Sequence, residues 1–93
     1  MKTNNIIISA CIITYNQEKY IEKCIRGAVE QDLNISYEIL IGDDCSADKT
    51  SEICGYYAKE YPDLIKHFRR EKNLGMNGNW IETIKNCKGK YIA

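Results

Sequence analysis

Five residues in two short segments carry side chains that suit the recognition of a nucleoside. Thr14, Tyr15 and Asn16 offer a hydroxyl, an aromatic ring and an amide just after one apolar run. Asp43 and Asp44 offer carboxylates just after another. A tyrosine ring stacks on a nucleobase with about 1 to 3 kcal/mol, and a carboxylate accepts a charge-assisted hydrogen bond from the imide N–H of uracil or from a ribose hydroxyl. These residue types therefore indicate a site for a nucleotide.

Each of these residues also has a purely structural interpretation. Tyr15 can pack on its own helix, and Asn16 is a favourable N-cap residue, a role that can coexist with ligand binding. Asp43 and Asp44 can instead lie near the positive end of the next helix dipole. A receiver-like signalling domain also carries paired acids, but it needs an aspartate after its third strand, where this chain has Arg-Arg-Glu-Lys at 69–72. The receiver domain is therefore the weaker hypothesis.

Two apolar strands place both segments at one edge of a sheet. The first strand is predicted over Ile6–Ile13. The second is predicted over Tyr37–Ile41 and is apolar on both faces, which is typical of a buried parallel strand. A helix with apolar residues at i, i+3, i+4 and i+7 is predicted between them, from about Gln17 to Gln31. Open α/β sheets bind their ligands at the carboxyl ends of such strands, so the two polar segments are expected to meet there.

The next two elements continue the alternation of strand and helix. Ser46 or Asp48 is expected to cap a second helix, which Pro62 ends. Leu64–Arg69 is expected to form a charged edge strand. The basic run that contains this strand could contact a diphosphate, although a solvated edge that resists aggregation is the preferred explanation. His67, the only histidine, is expected to be structural or to lie at the surface.

A third helix and a fourth strand complete the predicted fold. The helix is predicted over Asn77–Cys87 after a turn at Asn73–Met76, with Gly89 as its C-cap, and the strand over Lys90–Ala93. The helix residues expected to face the core are Trp80, Ile81 and Ile84. The alternation predicts an α/β fold: a three-layer, Rossmann-like open parallel sheet of four strands, with right-handed crossovers and helices on both faces.

Composition excludes several classes of protein. The chain of 93 residues is the size of a single domain, and its 13 basic and 13 acidic side chains give a formal charge of zero, so no field favours nucleic acid. Without a Gly-x-Gly-x-x-Gly or Gly-Lys-Ser/Thr loop, NAD-binding and P-loop proteins are not indicated. The first apolar run, of about eight residues, is too short for a signal peptide or a membrane span.

The five cysteines are odd in number and include no Cys-x-x-Cys pair. Zinc and redox sites are therefore not indicated, and reduced cysteines in a cytoplasmic protein are expected. Four of them are expected on apolar faces, where a thiol acts as a small hydrophobic group. Cys45, in the acidic loop, is the one expected to be exposed.

Four motifs together resemble the N-terminal half of a family 2 glycosyltransferase of the GT-A fold. They are Thr14-Tyr15-Asn16, Asp43-Asp44-x-Ser46-x-Asp48-x-Thr50, Asn73-Leu74-Gly75 and Gly89-Lys90-Tyr91-Ile92-Ala93. The resemblance runs from Ile6 to Ala93 and implies the strand order 3-2-1-4. It also implies that residues 1–93 form a single, truncated GT-A domain, the nucleotide-sugar-binding half, which ends before the acidic motif that binds the metal.

The resemblance implies a fragment of an enzyme that transfers a sugar from a UDP-linked donor to an acceptor hydroxyl by an inverting mechanism. The nucleotide-binding residues it implies are Thr14, Tyr15, Asn16, Asp43 and Asp44. Catalytic residues and metal ligands are expected beyond Ala93, with Mg²⁺ or Mn²⁺ in the full-length enzyme and none in this chain, which alone is expected to be inactive. The implied acceptor is a saccharide or a lipid-linked molecule of cell-surface polysaccharide synthesis, in the cytoplasm or at its membrane through parts absent here.

Three further expectations complete the hypothesis. The family often has Ala-Arg-Asn before the third helix, but this chain has Asn77-Gly78-Asn79, so an arginine contact to sugar or phosphate is not expected from it. The alternative function is a non-catalytic module that binds a nucleotide or a partner. Self-association as a two-fold homodimer is predicted through Trp80, Tyr91 and Ile92, because an open strand edge beside apolar surface favours pairing.

Overall fold

The computed structural model describes residues 5–31 and 34–93, and in these ranges strands and helices alternate. The strands are β1 (Ile8–Thr14), β2 (Tyr37–Asp43), β3 (Ile65–Arg69) and β4 (Tyr91–Ile92). The helices are α1 (Ile21–Val29), α2 (Thr50–Glu60) and α3 (Gly75–Lys85). All four strands are parallel, in the order β3-β2-β1-β4. The predicted α/β fold and its strand order are confirmed.

The two central strands end level with each other. Thr14 of β1 pairs in register with Asp43 of β2, and β2 is buried from Glu38 to Asp43. Its near-continuous apolar run, broken by Glu38, fits this position, because a central parallel strand is covered on both faces. β3 lies at the sheet edge, as its charged sequence predicts. The loops after β1 and β2 therefore begin side by side at the carboxyl edge of the sheet.

The face of the sheet that carries α1 and α2 is apolar. Its buried cluster consists of Ile21, Ile25, Ile39, Ile41, Cys54 and Ile65. Burying a side chain of this size contributes about 1.5 to 3 kcal/mol, so these few residues supply much of the fold's stability. The stripe predicted for the first helix is confirmed at its two isoleucines, although Cys24 is exposed, because only a narrow side of this short helix meets the sheet.

The face that carries α3 combines polar groups with the buried Leu40 of β2. The third helix is present as predicted, but its predicted inward residues were wrong. Its buried residues are Asn79 and Thr83, whereas Trp80 and Ile81 are 38% and 54% exposed and Ile84 is half-buried. The cause lies in β2: Gly42 has no side chain, and a Cβ there would collide with Thr83 Oγ1 and lie 2.6 Å from Asn79 Oδ1. Asn79 Nδ2 fills this gap and donates to Gly42 O at 2.8 Å.

The predicted helix starts also need correction, including that of α3, which begins at Gly75 rather than Asn77. α1 begins at Ile21 rather than Gln17, and a turn closed by the Tyr20 N–H to Gln17 O bond (2.9 Å) precedes it. Asn16 adopts a left-handed φ of 50°, and its side chain accepts a hydrogen bond from Ala47 N–H (2.8 Å) instead of capping α1. α2 begins at Thr50. Its N-cap is Lys49, so neither Ser46 nor Asp48 is the cap residue, although Asp48 Oδ1 accepts the Thr50 N–H at 2.9 Å.

Gly89 has a different role from the predicted C-cap. α3 ends at Lys85 with Asn86 as its C-cap, and a Cβ on Gly89 would lie 2.7 Å from Ser9 N. The Gly89 N–H donates to Ser9 Oγ (2.8 Å), and Ser9 Oγ donates to the buried carboxylate of Glu38 (2.6 Å). The glycine therefore lets the chain approach β1 closely just before β4 begins.

All five cysteines are free thiols. Cys54 is buried, Cys11 and Cys87 are half-buried with their sulfurs 3.3 Å apart, and Cys45 is half-buried rather than exposed. Burial raises the pKa of the Cys54 thiol to about 12, and burial together with Cys87 does the same for Cys11. Among residues 5–31 and 34–93, no helix has the length and apolarity needed to span a membrane.

Candidate functional site

A cavity of about 410 Å³ opens at the carboxyl edge of the sheet, between the end of β1 and the start of α3. Its walls come from three loops that are far apart in sequence. The lining residues are Ile13, Thr14, Tyr15, Gln17, Asp44, Asn73, Gly75, Met76 and Asn79. Three of the five predicted site residues, Thr14, Tyr15 and Asp44, thus lie on one cavity, and Asn16 and Asp43 do not line it.

Thr14 lies in the wall of this cavity with a buried hydroxyl. The residue is 3% exposed, and its Oγ1 has no hydrogen-bond partner among the residues that the structure describes. A buried hydroxyl without a partner costs free energy, and in native proteins such groups are rare. The adjacent Tyr15 is 49% exposed, so its ring is accessible. The cavity wall thus combines the hydroxyl of Thr14, unpaired among the described residues, with the accessible ring of Tyr15.

Asp44 connects the cavity to the start of α3. The residue is 4% exposed; its Oδ1 accepts the Leu74 N–H at 2.7 Å and its Oδ2 accepts the Gly75 N–H at 2.9 Å. Free N–H groups and the helix dipole make this end of α3 favourable for a negative charge. Each carboxylate oxygen has a second lone pair, so Asp44 can hold α3 and still accept a hydrogen bond from a ligand.

Asp43 is the last residue of β2 and contacts residues of α2 and β3. We call the loop after β1 the first loop and the loop after β2 the second loop. Its Oδ1 accepts hydrogen bonds from Ser46 N–H (3.2 Å) and Ser46 Oγ (2.6 Å), and its Oδ2 accepts from Ser51 Oγ. His67 Nε2 lies 3.8 Å from Oδ2. Burial by itself would raise the pKa of Asp43, but His67 and the two serines outweigh it and lower the pKa to about 2.

Asn16 joins the first loop to the second. Its N–H donates to Ser46 Oγ (2.8 Å), and its Oδ1 accepts from Ala47 N–H (2.8 Å). Next to it, the Gln17 N–H donates to Thr50 Oγ1 (2.8 Å). Asn16 therefore contacts the neighbouring loop, while the preceding Tyr15 remains on the cavity wall.

Several lining residues were not predicted from the sequence as site residues, and the sequence signal for them differed. Asn73 and Gly75 belong to a motif noted above, and Asn73 Nδ2 donates to Asp44 O (3.3 Å). Asn79 gave no signal, because the helical apolar pattern favoured Trp80 and Ile81 as the inward residues. Its place on the cavity depends on the gap at Gly42 in a strand that is distant in sequence.

The basic run after the third strand has structural partners. Arg69 Nε donates to Ser51 Oγ (2.9 Å), and its Nη2 donates to Ser46 O (3.1 Å). Arg70 Nε donates to Asn79 Oδ1 (3.1 Å), and its Nη2 to Thr83 Oγ1 (2.8 Å). Both guanidinium groups therefore brace loops or α3, which explains their presence without a diphosphate contact.

The described part of the chain holds no group of three or more His, Cys, Asp or Glu side chains that could bind a metal ion. Asp43 and Asp44 are adjacent in sequence, but Asp43 is bound by the serines beneath the second loop and Asp44 by backbone N–H groups of α3. A hard divalent cation needs several oxygen ligands in one place. We therefore assign no metal ligand among these residues.

Comparison with known proteins gives this geometry a context. The model of the family described as glycosyl transferase family 2 matches residues 9–93. An abequosyltransferase of Salmonella typhimurium is 32% identical over 87 residues, which are 92% of this chain and 26% of that protein. The chain spans about a quarter of the length of the relatives first matched.

Solved structures have the same architecture. S. aureus TarS 1-349 in complex with UDP matches with a TM-score of 0.81 at 30% identity, over 94% of this chain and 26% of that one. A mannosyltransferase from Pyrobaculum calidifontis, in complex with GDP-Man and Mn²⁺, matches with a TM-score of 0.78 at 20% identity, over 89% of this chain and 25% of that one. The second likeness shows the fold alone.

Proposed function

Because this chain belongs to glycosyltransferase family 2, we propose that its cavity binds the nucleotide of a nucleotide-sugar donor, and that the nucleotide is UDP. One observation carries the proposal: the buried Thr14 Oγ1, without a partner among the described residues, lies on a cavity that Tyr15 and Asp44 also line. A nucleoside would supply the missing hydrogen bond, a flat surface for the ring and a donor for the carboxylate.

Each lining residue has a distinct part in this proposal. The ring of Tyr15 stacks on the base, the Thr14 hydroxyl bonds to the base or the ribose, and Asp44 accepts the imide N–H of uracil or a ribose hydroxyl. Asn16 and Asp43 belong to the site as supports of the two loops. UDP is chosen because TarS, which is 30% identical to this chain, was solved with UDP. Guanine also has N–H donors for a carboxylate, so GDP is the competitor to test.

The complete reaction involves more than this chain. For a longer protein we propose inverting transfer of the sugar to a hydroxyl of a saccharide or a lipid-linked acceptor. Mg²⁺ or Mn²⁺ would stabilise the diphosphate, and a carboxylate would deprotonate the acceptor. Residues 1–93 are proposed as its nucleotide-sugar-binding part, and the cytoplasm as its location, because the five cysteines are free thiols.

An NMR titration of the ¹⁵N-labelled chain tests the nucleotide site. We expect uridine and UDP to bind with a Kd between high micromolar and about 1 mM, which corresponds to about −4 kcal/mol. The amide shifts should be confined to residues 14–17, 43–46 and 73–76. UDP should bind more tightly than GDP, and Mg²⁺ should tighten UDP binding less than about tenfold, since the described residues hold no metal group.

Two variants and a matched control make the titration specific. Tyr15→Ala should weaken uridine binding by about 1 to 3 kcal/mol through the loss of stacking, and Thr14→Val should weaken it by about 0.5 to 1.5 kcal/mol through the loss of one hydrogen bond. Tyr56→Ala removes an exposed tyrosine from α2 and should leave binding unchanged. Uridine shifts absent from residues 14–17 and 43–46 of the folded chain would refute the proposed site.

A further inference from the structure

We propose that Asp43 is a positioning residue of the nucleotide site: through the hydroxyl of Ser46 it fixes the backbone at Asn16 and, with it, the ring of Tyr15. The inference rests on the proposed function, because it concerns the same cavity. It assigns different roles to the two adjacent aspartates. Asp44 faces the ligand, whereas Asp43 acts only through other residues, since it does not line the cavity.

A continuous chain of hydrogen bonds leads from Asp43 to the first loop. The Asp43 carboxylate accepts from the Ser46 hydroxyl at 2.6 Å, and the same hydroxyl oxygen accepts the Asn16 N–H at 2.8 Å. Because the hydroxyl has a single proton, donation to Asp43 leaves its lone pairs directed at Asn16. The carboxylate therefore orients the acceptor on which the first loop rests. We call this chain of Asp43, Ser46 and Asn16 the relay.

Asp43, the acidic end of the relay, is itself held by side chains of α2 and of the edge strand β3. Ser51 Oγ donates to Asp43 Oδ2, and Arg69 Nε donates to Ser51 Oγ at 2.9 Å. Arg69 also reaches Ser46 O at 3.1 Å, so one guanidinium contacts both serines. His67 Nε2 of β3 lies 3.8 Å from Asp43 Oδ2, so His67 and Ser51 contact the carboxylate and Arg69 supports it through Ser51. The relay is thus anchored in regular elements rather than in a loop.

The loops that the relay joins have backbone conformations that need support. Asn16 has a φ of 50° and Cys45 a φ of 64°, both in the left-handed region. Cys45 adopts this region at a cost in free energy, and Asn16 at a smaller cost, because asparagine is enriched there. Such conformations persist where surrounding contacts hold them. Without the relay, the first loop is expected to relax toward an ordinary φ at Asn16. The neighbouring Tyr15 would then move.

Tyr15 depends on this support because its own packing is incomplete. Half of its surface is exposed, so burial cannot fix the ring. Its position is set by the backbone on either side, where Thr14 O accepts the Asp44 N–H at 3.0 Å and the relay holds Asn16. An aromatic platform that is fixed before the ligand arrives binds better, because less ordering remains to be paid for on binding.

An isosteric pair of variants at Ser46 tests the relay. Threonine keeps the hydroxyl, and valine has the same shape without it. In the ¹⁵N-labelled chain, Ser46→Val should make the Asn16 amide exchange with solvent at least tenfold faster and should weaken uridine binding at least fivefold. Ser46→Thr should stay within twofold of the unmodified chain in both measurements. Asp43→Asn should change both measurements in the same direction as Ser46→Val.

Ser9, near the start of β1 and away from the carboxyl edge of the sheet, supplies a matched control for a general loss of stability. Ser9 Oγ donates to Glu38 Oε2 at 2.6 Å and accepts the Gly89 N–H at 2.8 Å, so Ser9→Val deletes an equivalent buried hydroxyl far from the cavity. It should lower the Tm but keep uridine affinity within twofold. If Ser46→Val does not fold, Ser46→Ala takes its place, because alanine is smaller and cannot overfill the site.

The outcomes separate this inference from the proposed function. Equal uridine affinity in the Ser46→Thr and Ser46→Val chains would overturn the inference, even if both chains were less stable. The same holds if Ser9→Val weakens uridine binding as much as Ser46→Val, since the effect would then be general loss of stability. If the unmodified chain bound no uridine, the proposed function would fail, and the role of the relay in binding would fail with it. The Asn16 exchange rates would still show whether the relay holds the loop.

Discussion

The two faces of this sheet are covered by opposite means. On the face of α1 and α2, isoleucines and one cysteine form a closed apolar cluster. On the other face, α3 buries Asn79 and Thr83, which hydrogen bonds join to Gly42 and Arg70, beside the buried Leu40 of β2, while Trp80 and Ile81 face outward. Apolar burial is non-directional, whereas hydrogen bonds fix distances and angles.

The difference matters because α3 borders the cavity and α1 and α2 do not. The first turn of α3 contributes Gly75 and Met76 to the cavity wall, and Asn79 follows one turn later. A helix held by apolar contacts alone can shift by small amounts at little cost. Hydrogen bonds on the polar face instead fix the position of α3 on the sheet, and Asp44 holds the N-terminus of this helix. We infer that the apolar face stabilises the fold and that the polar face shapes the site.

The largest expected effect is a loss of stability on the apolar face. Ile25 is 0% exposed at the centre of the cluster, so Ile25→Ala should lower the free energy of unfolding by about 2 to 5 kcal/mol. Urea denaturation followed by circular dichroism measures it. The matched variant Ile81→Ala, on the outward side of α3, should change stability by no more than about 0.5 kcal/mol. Equal losses in the two variants would contradict the assignment of the faces.

The next effect concerns the polar face. Gly42→Ala should cost about 1 to 3 kcal/mol, because the added methyl group collides with Thr83 Oγ1 and Asn79 Oδ1 and displaces α3. Gly27→Ala is the control: a Cβ there meets nothing within 4 Å, and alanine favours a helix by about 0.5 to 1 kcal/mol. Urea denaturation should therefore show opposite signs for the two variants. A Gly42→Ala chain as stable as the unmodified one would show that α3 can move without loss of stability, and would contradict the prediction.

A smaller effect should appear with pH. The pKa of Asp43 is lowered to about 2 from its ordinary 3.8, so this carboxylate contributes stability that is fully present above about pH 4 and is lost as the pH falls toward 2. The Tm of the unmodified chain should therefore drop between these values. Asp43→Asn should lower the Tm at pH 7 and flatten the acid drop. A variant whose acid drop is as steep as that of the unmodified chain would contradict the assignment.

The smallest effect expected is weak self-association. Trp80, Tyr91 and Ile92 are exposed, and apolar surface beside a strand edge favours contact between copies. Light scattering coupled to size exclusion should show dimers at hundreds of micromolar, and Trp80→Glu should shift them to monomers. Trp80 is only 38% exposed, so Trp80→Glu also removes apolar burial, and circular dichroism should confirm that the variant is folded. A strict monomer at that concentration would refute the predicted dimer.

Local patterns in the sequence were sufficient for most of the fold. The two-sided apolar run of β2 and the charges of β3 predicted a central and an edge strand, and the alternation of elements predicted a parallel sheet with its ligand-binding edge after Thr14 and Asp43. These features depend on residues close together in sequence. Such residues belong to one strand or helix, and the spacing of the apolar ones indicates which it is. Strand order followed from the motifs of the family.

Contacts between distant segments decided the rest. Asp43 and Asp44 are adjacent in sequence and equal in chemistry, yet one is held by Ser46 and Ser51 and the other by the start of α3. The inward side of α3 was set by the space above Gly42, and the conformation of Asn16 by the second loop. The sequence alone determined which elements form and at which edge of the sheet their polar residues gather. Only the tertiary structure decided which of those residues face the cavity, because other residues satisfy the hydrogen bonds of the rest once the chain is folded: Ser46 and Ser51 for Asp43, and the second loop for Asn16.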